Sequence, residues 1–303
     1  MTRLALATAV FAIAPWLAAA SAPCEPSTPA LQAFAKRADG YNNPADGGGS
    51  MLTIVNNTYP AGQGEPINVI LSGTSDAQVL VDSLDDGGFQ NYMLSTFLAH
   101  ECLGVHFGDT QSANLGDGDG NVTQVAVLRW DYGDPYVGSC KETFNGGLHL
   151  RYWQQNGTKA FFLAVSVEMD EAKGHDIVPD GYNLGRDELV GNVTQTSVES
   201  RNVTTASTFS GQTSYGNYTY QTDVTYVAGL LQNSSIGINH NITVEEDGYA
   251  AIDGLVAVLQ VSIVSRPAGD TGATAASSSS SGAISLLPPA VAIVTLAAVA
   301  ALW

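Results

Sequence analysis

His149, Arg151, Asp170, His175, Asp180, Arg186 and Asp187 crowd into one stretch of a chain that has only 11 Lys+Arg and 5 His in 303 residues. Arginines offer planar forks of donors to a carboxylate or phosphate. Histidine moves protons near neutral pH, and a neighbouring carboxylate orients it or shares the work. One chemistry this set can support is an extracellular ester or phosphoester hydrolysis, with His149, His175 and Asp180 as catalytic candidates and Arg151, Arg186, Asp170 and Asp187 gripping an anion. The other use of the same residues is a buried ion-pair network in which the arginines satisfy Asp170, Asp180 and Asp187. Hairpins and turns use such staples widely, so the structural use starts ahead.

The elements that must position these groups are legible in the pattern around them. LHLRYW (148–153) and AFFLAVSVEMD (160–170) alternate in polarity and are joined by QQNGTK, whose Asn-Gly favours a hairpin turn. Alternation puts His149, Arg151 and Trp153 on one face and Leu148, Leu150 and Tyr152 on the other; Ser166, Glu168 and Asp170 share the polar face of the second strand. A register pairing Trp153 with Ala160 is expected. Pro179-Asp180-Gly181 is a turn, and Arg186-Asp-Glu-Leu-Val opens a short helix. His149, Arg151, His175 and Arg186 are therefore expected within about 10 Å, the span of one small pocket.

PINVILSG (66–73) reads as a buried strand, and residues 215–231 and 250–264 as two more. Phe89, Tyr92, Met93 and Phe97 have near-helical spacing, which predicts a helix within 87–101, and Met51 to Val55 predicts an edge strand. Residues 234–248 read as loop. The expected fold is α+β: a single domain over 65–265 with a mixed β-sheet, a β-hairpin core and a few short helices, preceded by an irregular segment over 21–64.

Other motifs fail on spacing. His100-Glu101 is followed by His106, six residues after the first histidine rather than four, so the pair cannot share a helical face as a zinc protease requires. GDGDGN (116–121) lacks the Gly and Glu of a calcium-binding EF-hand loop, having Val122 and Leu128 in their places. No Gly-x-Ser-x-Gly, Cys-x-x-Cys or phosphate-binding loop is present. No metal and no cofactor are expected.

The ends and the surface predict a compartment. Residues 1–20 have Arg3, an apolar run and small residues, the pattern of a secretory signal peptide. Residues 266–282 form a Ser/Ala/Gly-rich linker and 283–303 an apolar tail, which together match a signal for GPI attachment within Gly272 to Ser278. Sequons at Asn56, Asn121, Asn156, Asn192, Asn202, Asn217, Asn233 and Asn241 fit an extracellular glycoprotein. In an oxidising compartment one disulfide is expected among three cysteines. Cys102–Cys140 lies inside the domain and would contribute roughly 3 to 4 kcal/mol, leaving Cys24 unpaired or intermolecular. The net charge of −18 argues against nucleic acid. The partners expected are a lipid anchor in the outer leaflet and a cell-wall polymer or small anionic ligand.

Residues 65–265 resemble the LssY C-terminal domain family, through HLRYW, a strand ending at Asp170, His175-x4-Asp180-x5-Arg186-Asp-Glu-Leu-Val and the later DGLVAVLQV. Secreted fungal proteins of that type are more similar still, sharing INVILSG, ECLGVHFGD and NLGDG. The resemblance implies a common fold and polar constellation, without an assigned activity. Two functions follow as expectations: a GPI-anchored cell-wall or interaction module, or an extracellular hydrolase using the His/Arg/Asp face.

Overall fold

The computed structural model describes residues 40–106 and 108–272. The expected signal peptide, Cys24, the apolar tail and all of the linker beyond Gly272 lie outside the described residues. In chain order the strands are β1 (Val69–Leu71), β2 (Leu98–His100), β3 (Ser112–Asn114), β4 (Asn121–Thr123), β5 (Ala126–Trp130), β6 (Gly147–Gln154), β7 (Phe161–Glu168), β8 (Thr208–Tyr215), β9 (Tyr218–Ala228) and β10 (Leu255–Ser265). The α-helices are α1 (Phe89–Leu94), α2 (Gly138–Asn145), α3 (Gly181–Thr194) and α4 (Asn241–Val244).

Eight strands form one mixed sheet in the order β2-β5-β6-β7-β1-β10-β9-β8, and β3 pairs with β4 separately. Only β1 and β10 run parallel; the other neighbours in the large sheet are antiparallel. This is the expected α+β class. β1 sits mid-sheet with Val69, Ile70 and Leu71 all inaccessible to solvent, which explains its unbroken apolar run: both faces are covered. On one face Leu148, Leu150, Phe161, Leu163 and Leu259 pack against Phe89, Tyr92 and Met93 of α1 and Leu189, Val190 and Val193 of α3. On the other, Ile70, Trp153, Phe162 and Val256 pack under Tyr41, Met51, Ile177, Tyr182 and Ile252.

α3 lies close on β7. A Cβ on Gly185 would sit 2.6 Å from the Cα of Ser166, so glycine is what lets the helix approach. The Asn68 side chain extends the work of the short β1: its Oδ1 accepts from the Val165 amide at 3.0 Å, and its Nδ2 donates to the carbonyls of Val165 (2.9 Å) and Tyr182 (2.8 Å).

Several boundaries differ from expectation. The β6–β7 hairpin pairs Trp153 with Phe162 rather than Ala160. That shift of two residues keeps every side chain on its expected face, because strand periodicity is two. α1 ends at Leu94, and Phe97 turns with φ 64° into β2, so one expected helix is a helix followed by a strand. α3 begins at Gly181, five residues before Arg186, and is a full 14-residue helix. Residues 208–215 form β8, an edge strand whose alternating exposure hides no apolar run. Residues 51–55 make isolated bridges, Leu52 with Pro66 and Ile54 with Ser112, rather than a strand. The loop-like 234–248 contains the single turn of α4. Residues 40–64 are irregular yet packed, with Tyr41 and Met51 in the core.

Cys102 and Cys140 are bonded, joining the segment after β2 to α2. No helix among the described residues is long and apolar enough to cross a membrane.

Candidate functional site

Antiparallel pairing lines up Arg129 on β5, His149 on β6 and Ser166 on β7 across the polar face of the sheet. Glu168, two residues beyond Ser166, is the hub. Its Oε2 accepts from Arg129 Nη1 at 3.0 Å and lies 3.7 Å from His175 Nδ1, while its Oε1 lies 3.4 Å from His149 Nε2. The two expected histidines thus meet at one carboxylate. Arg129 also donates to Glu142 of α2 at 2.8 Å, and its Nε lies 3.5 Å from Glu101. Glu101 in turn holds His106 Nδ1 at 2.7 Å.

Three carboxylates around one guanidinium, mostly out of water, leave an excess of negative charge. Burial pushes the Glu142 carboxyl up to about 7, against the pull of Arg129. Burial raises Glu168 as well, again opposed by Arg129. Burial, reinforced by the charges of Arg129 and Arg151, holds His149 well below the usual histidine range, so it is neutral. With Nε2–H towards Glu168, its Nδ1 accepts from the Ser166 hydroxyl at 3.2 Å.

Ser166, His149 and Glu168 therefore have the connectivity of a Ser-His-Glu triad. Ser166 and His149 are each only 2 % exposed, so no substrate reaches the hydroxyl in this arrangement. Among the described residues no group of three or more His, Cys, Asp or Glu is placed to hold a metal ion. Arg129 occupies the position a cation would take.

The other expected residues divide among three places. Arg151 stays on the His149 face, where it donates to Gln124 Oε1 at 3.0 Å and pairs with no carboxylate among the described residues. Asp170 is near the surface, 3.4 Å from Lys173. Arg186 makes no hydrogen bond with either histidine; its partners are the carboxylates of the ion-pair reading, Asp187 among them. It is fully buried on α3, with two hydrogen bonds to Asp187 (2.8 and 2.7 Å), two to Asp253 (2.7 and 2.9 Å) and one to the Leu255 carbonyl (3.0 Å). Its guanidinium also lies 5.3 Å from the Tyr226 ring centre, and Tyr226 donates to Asp187 at 2.7 Å. Burial works against this cation, but the hydrogen bonds to Asp187 and Asp253 outweigh it and raise its pKa. Arg186 and Asp187 are a staple between α3 and the β9–β10 side.

Asp180 stands apart again, at the N-terminal end of α3. It opens the helix with φ 57° without capping it; its Oδ1 accepts from Asn183 Nδ2 at 2.6 Å, and Arg201 lies 3.8 Å from its Oδ2. It borders a cavity of about 400 Å³ shared with Asn183, Arg201, Tyr249 and Asp253. Burial raises its carboxyl pKa. His100 and His106 do not converge, since His100 bonds Gln90 at 2.9 Å. In GDGDGN, Asp117 accepts from the amides of Asp119 (3.3 Å) and Asn156 (2.7 Å), which ties this turn to the β6–β7 hairpin tip.

Arg129, Glu142 and Glu101 escaped the sequence reading of the site. A signal for two of them was present: Glu101 adjoins Cys102 and Glu142 is two residues past Cys140, so the expected disulfide already implied that these carboxylates are neighbours. Arg129, alone among AVLRW, was the available counter-charge.

No known protein family, curated protein or solved structure matches this chain.

Proposed function

We propose that this chain is a secreted, GPI-anchored cell-surface glycoprotein whose α+β domain is a non-catalytic cell-wall or interaction module of the LssY C-terminal type. The observation that carries the non-catalytic part is the closure of the Arg186 and His149–Ser166 portions of the charged constellation. Arg186 is saturated by two carboxylates and a carbonyl, and His149 and Ser166 are buried, each only 2 % exposed. A catalytic acid, base or nucleophile must reach the reacting atoms, and these groups reach one another instead. The secretory and anchoring parts rest on the terminal sequence patterns and the sequons. The exposure of Asn56, Asn121, Asn156, Asn202, Asn217 and Asn233 suits glycan attachment.

The hydrolase alternative has one observation in its favour, the Ser166–His149–Glu168 connectivity. A broad ester and phosphoester screen on the purified ectodomain, beside a Ser166→Ala variant, separates the two. Equal background for both proteins is expected; turnover lost in the variant makes the chain a hydrolase. Release of the protein from expressing cells by phosphatidylinositol phospholipase tests the anchor. Retention with the apolar tail still detectable by mass spectrometry refutes it.

A further inference from the structure

We propose that the cavity at the N-terminal end of α3 binds one uncharged pyranose unit of a glycan. The proposal rests on reading the domain as an interaction module and supplies that module's ligand class. At about 400 Å³ the cavity is within the range of small-molecule sites.

Its polar floor is fixed before any ligand arrives. Asp253 is clamped by the buried Arg186, its amide donates to Asn183 Oδ1 at 3.2 Å, and Asn183 Nδ2 donates to Asp180 Oδ1. Asp180 occupies a position whose side chain ordinarily caps the helix, yet it caps nothing and faces Asn183 and Arg201 instead. Carboxylate and amide oxygens set at fixed spacing are acceptors for the hydroxyl donors of a polyol. Preorganisation of this kind lowers the ordering cost of binding.

The rim supplies the second half of the recognition. Tyr249 is 60 % exposed, and Arg201 lies over its ring at 4.7 Å from the centre, which sets the ring's orientation. Leu255 adds an apolar wall. A flat aromatic and an apolar side chain lining the same cavity as several polar groups suit a ligand with a C–H face and a hydroxyl edge, as a pyranose has.

Charge removes the alternatives. Arg201 is already ion-paired with Glu246, and lies 3.8 Å from Asp180 and 3.9 Å from Asp247, so an anionic ligand meets no uncompensated cation there. Asp253 is likewise committed to Arg186, so a cationic ligand gains little from it. An uncharged ligand fits both facts.

The sugar has two sources. Asn233 lines the cavity and Asn202 adjoins Arg201, both in sequons and both exposed, so the chain's own N-glycan is one; a separate glycan such as a wall polymer is the other. The test is calorimetric titration of the secreted ectodomain, and of its Asn202→Gln/Asn233→Gln variant, with laminarihexaose, mannohexaose, cellohexaose and chitohexaose. The variant is expected to bind at least one hexasaccharide with a millimolar or tighter dissociation constant. Tyr249→Ala, made in that variant, is expected to weaken binding at least tenfold with an unchanged melting temperature. Tenfold weaker binding by the glycosylated protein identifies its own glycan as occupant; equal binding identifies an external one. No binding of any of the four by the glycan-free variant, or binding that Tyr249→Ala leaves intact, overturns the site. Shortened oligosaccharides in the titrated mixture would refute the non-catalytic reading while leaving the binding site standing.

Discussion

Arg186 and Asp253 are joined by two parallel hydrogen bonds, Nη1 to Oδ1 at 2.7 Å and Nη2 to Oδ2 at 2.9 Å. The pair ties the middle of α3 to the entry of β10, two elements that approach each other only in the folded chain. Removing the guanidinium leaves Asp187, which is 1 % exposed, without its countercharge. Arg186→Ala is therefore expected to destabilise the domain by about 3 to 5 kcal/mol, read from urea unfolding. Arg186→Lys is expected to recover only part of this, because an ammonium cannot reproduce the two-pronged geometry. A loss under 1 kcal/mol for the alanine variant would mean the staple is not structural.

Glu142 makes the acidic cluster pH-dependent. Its carboxyl ionises near 7 in the folded protein against an ordinary value of 4.5. Between those values the folded state holds a proton that the unfolded state has released, so stability from this group is complete below pH 4.5 and is lost as pH rises through 7. His149 acts in the opposite sense: held neutral by burial, it makes acidification below the ordinary histidine value of 6.5 destabilising. The two trends overlap in the wild-type curve, so a difference measurement isolates the first. Glu142→Gln mimics the protonated acid and is expected to gain on wild type, from pH 5 to pH 8, by on the order of 3 kcal/mol. A pH-independent difference between the two proteins would show that Glu142 is ionised throughout.

How much of this was legible in the sequence depends on whether the signal was local. The hairpin faces were legible because period-two alternation survives a register error of two, so His149 and Arg151 fell on the correct side even with Trp153 paired wrongly. Glu168 was on that face too, but nothing local marked it as the hub. β8 was missed because an exposed edge strand such as TFSGQTSY carries little apolar alternation. The early end of α1 was hidden because Phe97 keeps the helical spacing while its backbone turns left-handed, which propensity disfavours for an aromatic residue. Arg186 was legible only in part. Its pairing with Asp187 was among the ion pairs expected, but a helix beginning at Gly181 also sends the side chain to Asp253, a partner no spacing rule could nominate.

The Cys102–Cys140 bridge closes a loop with a sequence separation of 38 and holds the segment carrying Glu101 against the helix carrying Glu142. Non-reducing peptide mapping is expected to recover the two cysteines in one linked peptide. The Cys102→Ser/Cys140→Ser variant is expected to lose about 4 kcal/mol, chiefly by freeing the unfolded chain. A map joining Cys24 to either residue would contradict the structure.

Glycan occupancy gives the last prediction, because the eight sequons are not equivalent in the fold. Asn56, Asn121, Asn156, Asn202, Asn217 and Asn233 are exposed, whereas Asn192 is half-buried on α3. The Asn192 Nδ2, the atom a glycan would be attached to, is shielded from solvent and has no hydrogen-bond partner. A glycan is large and hydrophilic, and attachment occurs through that nitrogen, so a modified Asn192 requires the end of α3 to leave its place. Folded, secreted protein is expected to carry glycans at the six exposed asparagines and none at Asn192, as read by intact glycopeptide mass spectrometry. Asn241 is half-buried too, with its Oδ1 accepting from Gln63 at 3.3 Å, and is expected to show lower occupancy than the six. Full occupancy of Asn192 in monomeric, cooperatively unfolding material would show that the C-terminal turn of α3 is not packed as described.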